Sequence, residues 1–204
     1  MNRYFKMVIA TALIGVTTSA NAIDRKTLAQ YASSLQGLKK EQLKEALHKL
    51  MDKKKVLPYG GGGKGTWWGF WYSDRDPQTN ECYNRYSDKK FYFESTNTGQ
   101  SIAGMNIEHS FPKSWWGKKK NDAWCDLYNL YPSDSQANSS KSNFVMGVVV
   151  NVEEEAGVGY DKVGTGYADG QLVKMWEPGD RFKGEFSRSY MYMATTYQNL
   201  SFVS

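Results

Sequence analysis

Three polar residues in the middle of the chain, Glu108, His109 and Asn138, have the types that metal-assisted hydrolysis needs. A carboxylate and an amide oxygen are hard ligands, which suit magnesium, calcium or manganese rather than zinc. An imidazole next to such an ion could take a proton from an attacking water. The ion could meanwhile neutralise a phosphate and its leaving oxygen, so the three residue types together predict hydrolysis of a phosphate ester.

Two strands and a helix, in that order, must position these side chains. A first strand ends at His109, a polar loop follows, and a short apolar strand of roughly residues 126–131 leads to Pro132. Proline is favoured in the first turn of a helix, and the Ser-Asp pair after it suits helix capping. The predicted helix carries Asn138, so these elements can bring its amide to the end of the first strand.

The adjacency of Glu108 and His109 sets a geometrical condition on this site. Side chains alternate along a strand, which sends neighbouring residues to opposite faces. We therefore expect a bend or bulge at the strand end that turns both side chains toward one ion. The alternatives stay open that His109 is an ordinary hydrogen-bonded histidine at a strand end, that Glu108 is a surface acid, and that Asn138 is a helix-surface amide.

The first 22 residues have the layout of a cleaved secretory signal peptide. Arg3 and Lys6 precede an apolar run over residues 7–16, and the segment ends in Ala-Asn-Ala. This apolar run is shorter than the ~20 residues that a bilayer crossing takes, and no other run is long and apolar enough. We expect a mature protein from Ile23 that is secreted or periplasmic and keeps no membrane anchor.

The balance of charge predicts a mildly basic mature protein. Of the 26 Lys and Arg residues, two lie in the signal segment, which has no Asp or Glu, so 24 remain against 21 acidic residues. The resulting net charge of +3 permits a polyanionic partner without requiring one. Roughly 180 mature residues suit a single domain with a hydrophobic core.

The mature chain divides into three predicted segments. Residues 23–56 form a helical hairpin or one broken helix, with His48 as a solvated surface residue. Residues 57–66, LPYGGGGKGT, predict a flexible linker, because their lysine precedes the last glycine instead of following it as in a phosphate-binding loop. Residues 67–204 contain short aromatic-rich strands, loops and the three site residues.

The two cysteines of the sequence, Cys82 and Cys125, both follow the signal segment. Disulfides persist in the compartments that secretion reaches, so we expect these two residues to pair. The chain-entropy model gives the long loop that they would close roughly 4 kcal/mol of stabilisation. A cysteine-based zinc site is not favoured, since neither cysteine has a second Cys or His nearby in the sequence.

Two motifs give the sequence a specific resemblance. NIEHSFPKSWWG at residues 106–117 and DLYNLYPSDSQANSSKSN at residues 126–143 closely resemble the endonuclease I family of secreted or periplasmic bacterial nucleases. The resemblance covers at least residues 67–197 and includes YSDRD and EPGDRFKGEFSRSYMYMATTYQ. It implies an α+β fold with a ββα-metal (His-Me finger) nuclease core over residues 67–204, to which helices and short strands are added.

The resemblance also implies a role for each matching residue. His109 would be the general base that activates water, and Glu108 and Asn138 would hold Mg²⁺, with Ca²⁺ or Mn²⁺ as alternative ions. Asn129 would orient the site, for instance by fixing the backbone or the His109 ring. Lys141 stands where many members have arginine, and would contact a phosphate or support the metal loop.

Two positions depart from the family pattern. Tyr128 occupies a position that is often histidine, and Lys141 cannot make the bidentate contact of an arginine. The transition-state arginine of the family has no unambiguous match in this sequence. The basic candidates for its place are Arg75, Lys118, Lys119, Lys120 and Arg188.

The resemblance implies a single-metal endonuclease that hydrolyses DNA, with RNA as a second candidate substrate, little sequence preference and 5′-phosphate products. Two alternatives stay open. A secreted binding module could use the 15% aromatic residues to stack polysaccharide or nucleic acid. The chain could also be an inactive, C-terminally truncated nuclease, because it ends at NLSFVS directly after a predicted helix, where family members commonly continue.

Overall fold

A computed structural model describes residues 24–52 and 54–200. The predicted signal peptide, residues 1–22, lies outside these ranges. The described residues form a mixed α+β fold, with six α-helices and three small β-sheets, which confirms the predicted α+β class. None of the helices in these two ranges combines the length and the apolar character that a bilayer crossing requires.

The chain divides into two compact units, residues 1–47 and residues 48–204. In the first unit, α1 spans Arg25–Tyr31 and a 3-10 turn spans Ser33–Leu35. The Asp24 carboxylate caps α1 by accepting hydrogen bonds from two backbone N–H groups of its first turn. Helix α2, Lys40–Met51, starts in the first unit and ends in the second.

The second unit contains the remaining helices and all the strands of the described residues. The elements are α3 (Thr66–Ser73), β1 (Glu81–Cys82), β2 (Phe91–Tyr92), β3 (Met105–His109), a 3-10 turn (Lys113–Trp116), α4 (Asp122–Cys125), β4 (Leu130–Asp134), α5 (Ser135–Lys141), β5 (Val145–Met146), β6 (Asn151–Glu155), β7 (Lys162–Ala168), β8 (Gln171–Glu177) and α6 (Asp180–Thr196). Strands β1 and β2 pair antiparallel, β3 and β4 form a second antiparallel pair, the β3–β4 ladder, and the other four strands form a sheet in the order β5-β8-β7-β6.

The β3–β4 ladder lies between two clusters of the hydrophobic core. Leu130 points into a cluster with Trp67 and Phe70, whereas the next residue, Tyr131, points into a cluster with Trp176. Because both faces of β4 are covered, all five of its residues are buried. The ladder is therefore a firm support for the side chains at its end.

The start of helix α5 differs from the prediction. Strand β4 continues through Pro132, which pairs with Ile107, and the helix begins only at Ser135. Proline is tolerated in this two-stranded ladder because its missing N–H can face away from the partner strand. The Asp134 carboxylate caps α5 by accepting a hydrogen bond from the backbone N–H of Gln136 at 3.3 Å.

The predicted disulfide is wrong, because Cys82 and Cys125 are both free thiols. Cys82 is 2% exposed and packs in the core with Trp67 and Phe70. Cys125 ends helix α4 and lies beside the backbone N–H of Tyr59. Packing thus holds the two thiols in different surroundings, and burial raises the pKa of the Cys82 thiol far above its usual range.

The glycine-rich segment, residues 57–66, is a packed loop rather than an extended linker. The backbone N–H of Gly62 donates to the carbonyl of Gly99 at 2.7 Å, and Thr66 N–H donates to the Pro58 carbonyl at 3.0 Å. Gly99 has a φ of +69°, and a Cβ atom there would lie 2.1 Å from the Gly63 carbonyl oxygen. The close approach of the two chain segments therefore requires glycine at position 99.

The other histidine of the second unit, His48, also differs from the prediction. It is half-buried in the last turn of α2 rather than a fully solvated surface residue. Its Nδ1 lies 2.9 Å from the carbonyl oxygen of Thr196 at the end of α6. This hydrogen bond gives His48 a structural role that the lysines around it in the sequence do not indicate.

Candidate active site

His109 ends strand β3 and is held by one hydrogen bond to the main chain. Its Nε2 lies 3.0 Å from the carbonyl oxygen of Trp124. A carbonyl can only accept a hydrogen bond, so in the neutral imidazole Nε2 carries the proton and Nδ1 keeps a free lone pair. The side chain is therefore oriented with Nδ1 as its basic atom.

Aromatic rings surround the His109 imidazole. The Tyr59 ring is stacked on it with centroids 5.5 Å apart and 19° between the planes. Trp124 and Trp116 approach at other angles, with centroid distances of 5.1 Å and 6.0 Å. Since Tyr59 belongs to the glycine-rich loop, that loop supplies one wall of the site.

Burial in these surroundings lowers the pKa of His109 to about 4. The hydrogen bond to Trp124 opposes this shift, while the positive charges of Lys113 and Lys141 add to it. The imidazole is consequently neutral at pH 7 and is able to accept a proton.

Glu108, the residue before His109, forms an ion pair with Lys141 of α5. The Lys141 Nζ lies 2.7 Å from Oε1 of Glu108, and the lysine side chain is fully buried, 4.9 Å from the centre of the Trp176 ring. Burial raises the pKa of the Glu108 carboxyl, and the Lys141 charge acts against that shift. The carboxylate is thus balanced by a cation of the protein itself.

The predicted bend at the end of β3 is absent from the ladder. The register with β4 is continuous from Met105 to His109, where His109 pairs with Leu130. Glu108 and His109 therefore follow the ordinary alternation of a strand, and their side chains contact different neighbours. The ladder is regular because both of its faces are packed against the core.

Asn138 lies on the same helix as Lys141, three residues earlier, so the two side chains share one side of α5. Its side chain forms no hydrogen bond with any residue in the described part of the chain, while its backbone carbonyl accepts from Ser142 N–H at 3.1 Å. Helix α5 thus carries an unengaged amide three residues before the lysine that reaches Glu108.

These donors fit a hard divalent ion that keeps much of its water shell. Residues 24–52 and 54–200 contain no group of three or more His, Cys, Asp or Glu side chains that could hold a metal. Zinc sites usually need three or four such ligands, whereas Mg²⁺ is often bound through one or two carboxylates together with waters. Glu108 and Asn138 match the second pattern, provided that Glu108 exchanges part of its contact with Lys141.

Asn129 fastens the chain that follows His109. Its Oδ1 accepts a hydrogen bond from Phe111 N–H at 2.7 Å, and its Nδ2 donates to the Phe111 carbonyl at 3.1 Å. Its backbone carbonyl accepts from Ser110 N–H at 3.0 Å. Fully buried Asn129 thus locks the exit of β3 to the entrance of β4.

The two predicted supporting arginines lie elsewhere. The Arg75 guanidinium lies 3.6 Å from the centre of the Trp71 ring and donates to Asn80 Oδ1 at 2.6 Å. Arg188 is exposed on α6 and has no hydrogen bond or ion pair to another described residue. The structure does not bring either arginine into contact with Glu108, His109 or Asn138.

Two residues near His109 were missed by the sequence analysis. Tyr59 precedes His109 by fifty positions and stacks on the imidazole, and no local sequence pattern predicts this contact. Lys113 lies close behind His109 in the sequence, and its Nζ lies 4.8 Å from the centre of the Trp124 ring. Lys113 directly follows the Phe-Pro step after His109, and this position in the sequence could have indicated that it lies near the site.

Comparison with known proteins places these features in context. A family model described as Endonuclease I matches residues 39–202. An extracellular ribonuclease of Bacillus amyloliquefaciens is 28% identical over 204 residues, which cover 97% of this chain and 65% of the relative. An extracellular ribonuclease of Bacillus subtilis (strain 168) is 28% identical over 172 residues, or 82% of this chain and 54% of the relative. The chain therefore spans less than two thirds of the length of these two relatives.

Proposed function

This chain belongs to the endonuclease I family, and we propose from that premise that it is a secreted, metal-dependent endonuclease. It hydrolyses phosphodiester bonds of nucleic acids at the site around His109. The β3–β4 ladder and helix α5 form its ββα-metal core. The observation that carries this proposal is the neutral His109 imidazole, whose Nε2 is bound to a carbonyl and whose Nδ1 is free to take a proton.

His109 acts as the general base. Its Nδ1 takes a proton from water as the water oxygen bonds to phosphorus and the bond from phosphorus to the 3′ oxygen breaks. Burial keeps the imidazole neutral before the reaction, so the base is in its active form at neutral pH. Asn129 supports this step indirectly, because it fixes the backbone of Phe111, two residues after the base.

Glu108 and Asn138 hold the divalent ion, for which Mg²⁺ is the first choice and Ca²⁺ or Mn²⁺ are alternatives. The chemistry that this ion supplies is neutralisation of the phosphate and of the departing 3′ oxygen. Lys141 balances the Glu108 carboxylate when no ion is bound, because its Nζ lies 2.7 Å from Oε1. The products carry 5′-phosphates.

The substrate is DNA or RNA with little sequence preference. Both curated relatives are named as extracellular ribonucleases, which supports RNA as a substrate and secretion as the destination. The secretory pattern of residues 1–22 supports the same destination. Contacts to backbone phosphates carry no sequence information, so such an enzyme cuts many sites.

The alternative of a pure binding module has less support. Stacking on bases needs exposed aromatic faces, whereas Trp67, Trp116 and Trp176 are almost completely buried. Several tyrosines are exposed, Tyr72 and Tyr128 among them. A module that only binds, however, has no use for a general base at His109 beside residues suited to hold a metal ion. We therefore give the enzyme precedence.

One experiment tests the proposal directly. Purified protein is incubated with supercoiled plasmid and, separately, with RNA, in Mg²⁺ with and without chelator, beside His109→Ala and the control Tyr72→Ala. We expect cleavage in Mg²⁺ that is lost with chelator and with His109→Ala, and that remains in the control. Intact plasmid and RNA under every condition would contradict the proposed activity.

A further inference from the structure

We propose that Lys113 is a catalytic residue whose ammonium group contacts the non-bridging oxygens of the scissile phosphate beside His109. This inference rests on the proposed nuclease function and extends it. It assigns the transition-state cation of the reaction to a residue that does not belong to the candidates found in the sequence.

The backbone of Lys113 is fixed next to the site. The residue opens the 3-10 turn that follows Pro112, and its carbonyl accepts a hydrogen bond from Lys118 N–H at 2.9 Å. Pro112 sets its own φ at −61° and so restricts the path of the chain between His109 and this turn. The lysine side chain therefore starts from a rigid position four residues after the base.

The side chain of Lys113 shares a neighbour with the base. Its Nζ lies 4.8 Å from the centre of the Trp124 ring, and the carbonyl of the same Trp124 accepts the hydrogen bond from His109 Nε2. The Trp124 ring is also 5.1 Å from the imidazole. Trp124 thus carries the cation on its face and orients the base with its backbone.

The charge of Lys113 is not used in an ion pair. In the part of the chain that the structure describes, its ammonium has no carboxylate partner, whereas Lys141 is paired with Glu108. A half-buried cation that lies over the Trp124 ring beside the base, and has no carboxylate partner among the described residues, is suited to receive the anion of a substrate.

The other basic candidates fit this role less well. Arg75 is occupied by Trp71 and Asn80, and Arg188 makes no contact with the site. Lys118 and Lys119 are exposed without a contact to His109 or Glu108. Lys120 is the nearest competitor, but its Nζ is 5.9 Å from the centre of the Trp124 ring and its side chain is exposed.

A cation at this place would act mainly on the transition state. Negative charge shifts among the phosphoryl oxygens as the water oxygen attacks and the 3′ oxygen leaves, and a fixed ammonium stabilises it without losing its proton. Removal of one such donor in other enzymes lowers kcat by about 10²–10³-fold. The expected effect is therefore on kcat rather than on KM.

The test compares four variants of the full chain in Mg²⁺: Lys113→Met, Lys113→Arg, Lys120→Met and Lys54→Met. Lys54 is the matched control, because it is also half-buried with its Nζ over an aromatic ring, 4.4 Å from the centre of Tyr197. We expect Lys113→Met to lower kcat about 10²-fold or more with little change in KM, while Lys113→Arg keeps most of the activity. Lys54→Met should match the wild type.

Three results would overturn the assignment. They are a kcat of Lys113→Met within threefold of the wild type, an equal or larger loss in Lys120→Met, and a loss confined to KM. Thermal unfolding of each variant separates a chemical effect from a folding defect, because a fall in kcat at an unchanged Tm supports catalysis. A wild type that cleaves neither plasmid nor RNA would instead refute the proposed nuclease function.

Discussion

Glu108 and His109 are neighbours in the sequence, but the protein stabilises them by different means. His109 is kept neutral by aromatic burial and oriented by a carbonyl, whereas Glu108 is balanced by the buried ammonium of Lys141. The regular β3 strand makes this difference possible, because it turns the two side chains to opposite faces. The contribution of each residue to the free energy of unfolding can therefore be measured separately.

The lowered pKa of His109 predicts a specific loss of stability in acid. The unfolded chain takes up a proton below about pH 6.5, whereas the folded chain does so only near pH 4, so the free energy of unfolding falls as the pH drops between these values. The loss attributable to His109 approaches about 3 kcal/mol. Urea unfolding in chelator at pH 7.5 to 4.5 should show it in the wild type and not in His109→Gln. The same pH dependence of the free energy of unfolding in both proteins would contradict this prediction.

The ion pair between Glu108 and Lys141 predicts a cost for removing one partner. Lys141→Met leaves a buried carboxylate without its cation, and we expect the free energy of unfolding to fall by about 3 kcal/mol in chelator. Adding Glu108→Gln to this variant removes the unpaired negative charge and should restore a large part of the lost stability.

The exposed pair of Lys174 and Glu153 provides the control for this measurement. Lys174→Met should cost less than about 1 kcal/mol, because exposed ion pairs contribute little. Equal costs for Lys141→Met and Lys174→Met would show that the Lys141 ammonium is not needed to balance Glu108.

Among the structural elements, the glycine-rich loop of residues 57–66 differs most from its predicted role. Its sequence indicates a linker, yet hydrogen bonds to Gly99 and around Thr66 fold it against the start of α3. The loop then presents Tyr59 to the face of His109. A segment without regular secondary structure thus forms part of the wall around the base.

The contact between Gly99 and the glycine-rich loop predicts that Gly99→Ala impairs the site. Its Cβ would lie 2.1 Å from the Gly63 carbonyl oxygen, so the loop must move and carry Tyr59 with it. Gly170→Ala is the control, since Gly170 has a similar positive φ of +77° but no atom within 4 Å of a Cβ.

We expect Gly170→Ala to lose about 1–2 kcal/mol from backbone strain and to keep its activity. Gly99→Ala should lose more stability and also cleave nucleic acid more slowly, as thermal unfolding and a nuclease assay will measure. Indistinguishable activities of the two variants would argue that the position of Tyr59 does not matter for the reaction.

At the scale of the whole molecule, the fold is stabilised by packing rather than by a covalent link between its cysteines. Aromatic side chains fill core clusters on both sides of the β3–β4 ladder. The disulfide predicted from secretion and cysteine count is absent because Cys82 is enclosed in one of these clusters. The secretory compartment permits a disulfide, but packing decides whether two thiols meet.

The free thiols predict a distinct alkylation pattern. Without any reductant, mass spectrometry should find both cysteines alkylated in denaturant, because neither takes part in a disulfide. In the native protein, alkylation should proceed at half-buried Cys125 and not at Cys82, which is 2% exposed. If both cysteines resist alkylation in denaturant until a reductant is added, they form a disulfide and the prediction of free thiols is wrong.

The amino-acid sequence was sufficient to predict the features that depend on residue type and short spacing. It indicated the order of strand, loop, strand and helix, the strand that ends at His109 and the helix that carries Asn138. These follow from local alternation, capping residues and a family motif, all of which are written within short stretches of chain.

Which side chains meet could be seen only in the folded protein. The stacking of Tyr59 on His109, the pairing of Lys141 with Glu108, and the position of Lys113 over Trp124 join residues from separate elements. The predicted strand bend and the predicted disulfide are wrong for the same reason. Such contacts depend on which faces the packed core turns toward one another, and that choice is made by the sum of many weak interactions along the whole chain.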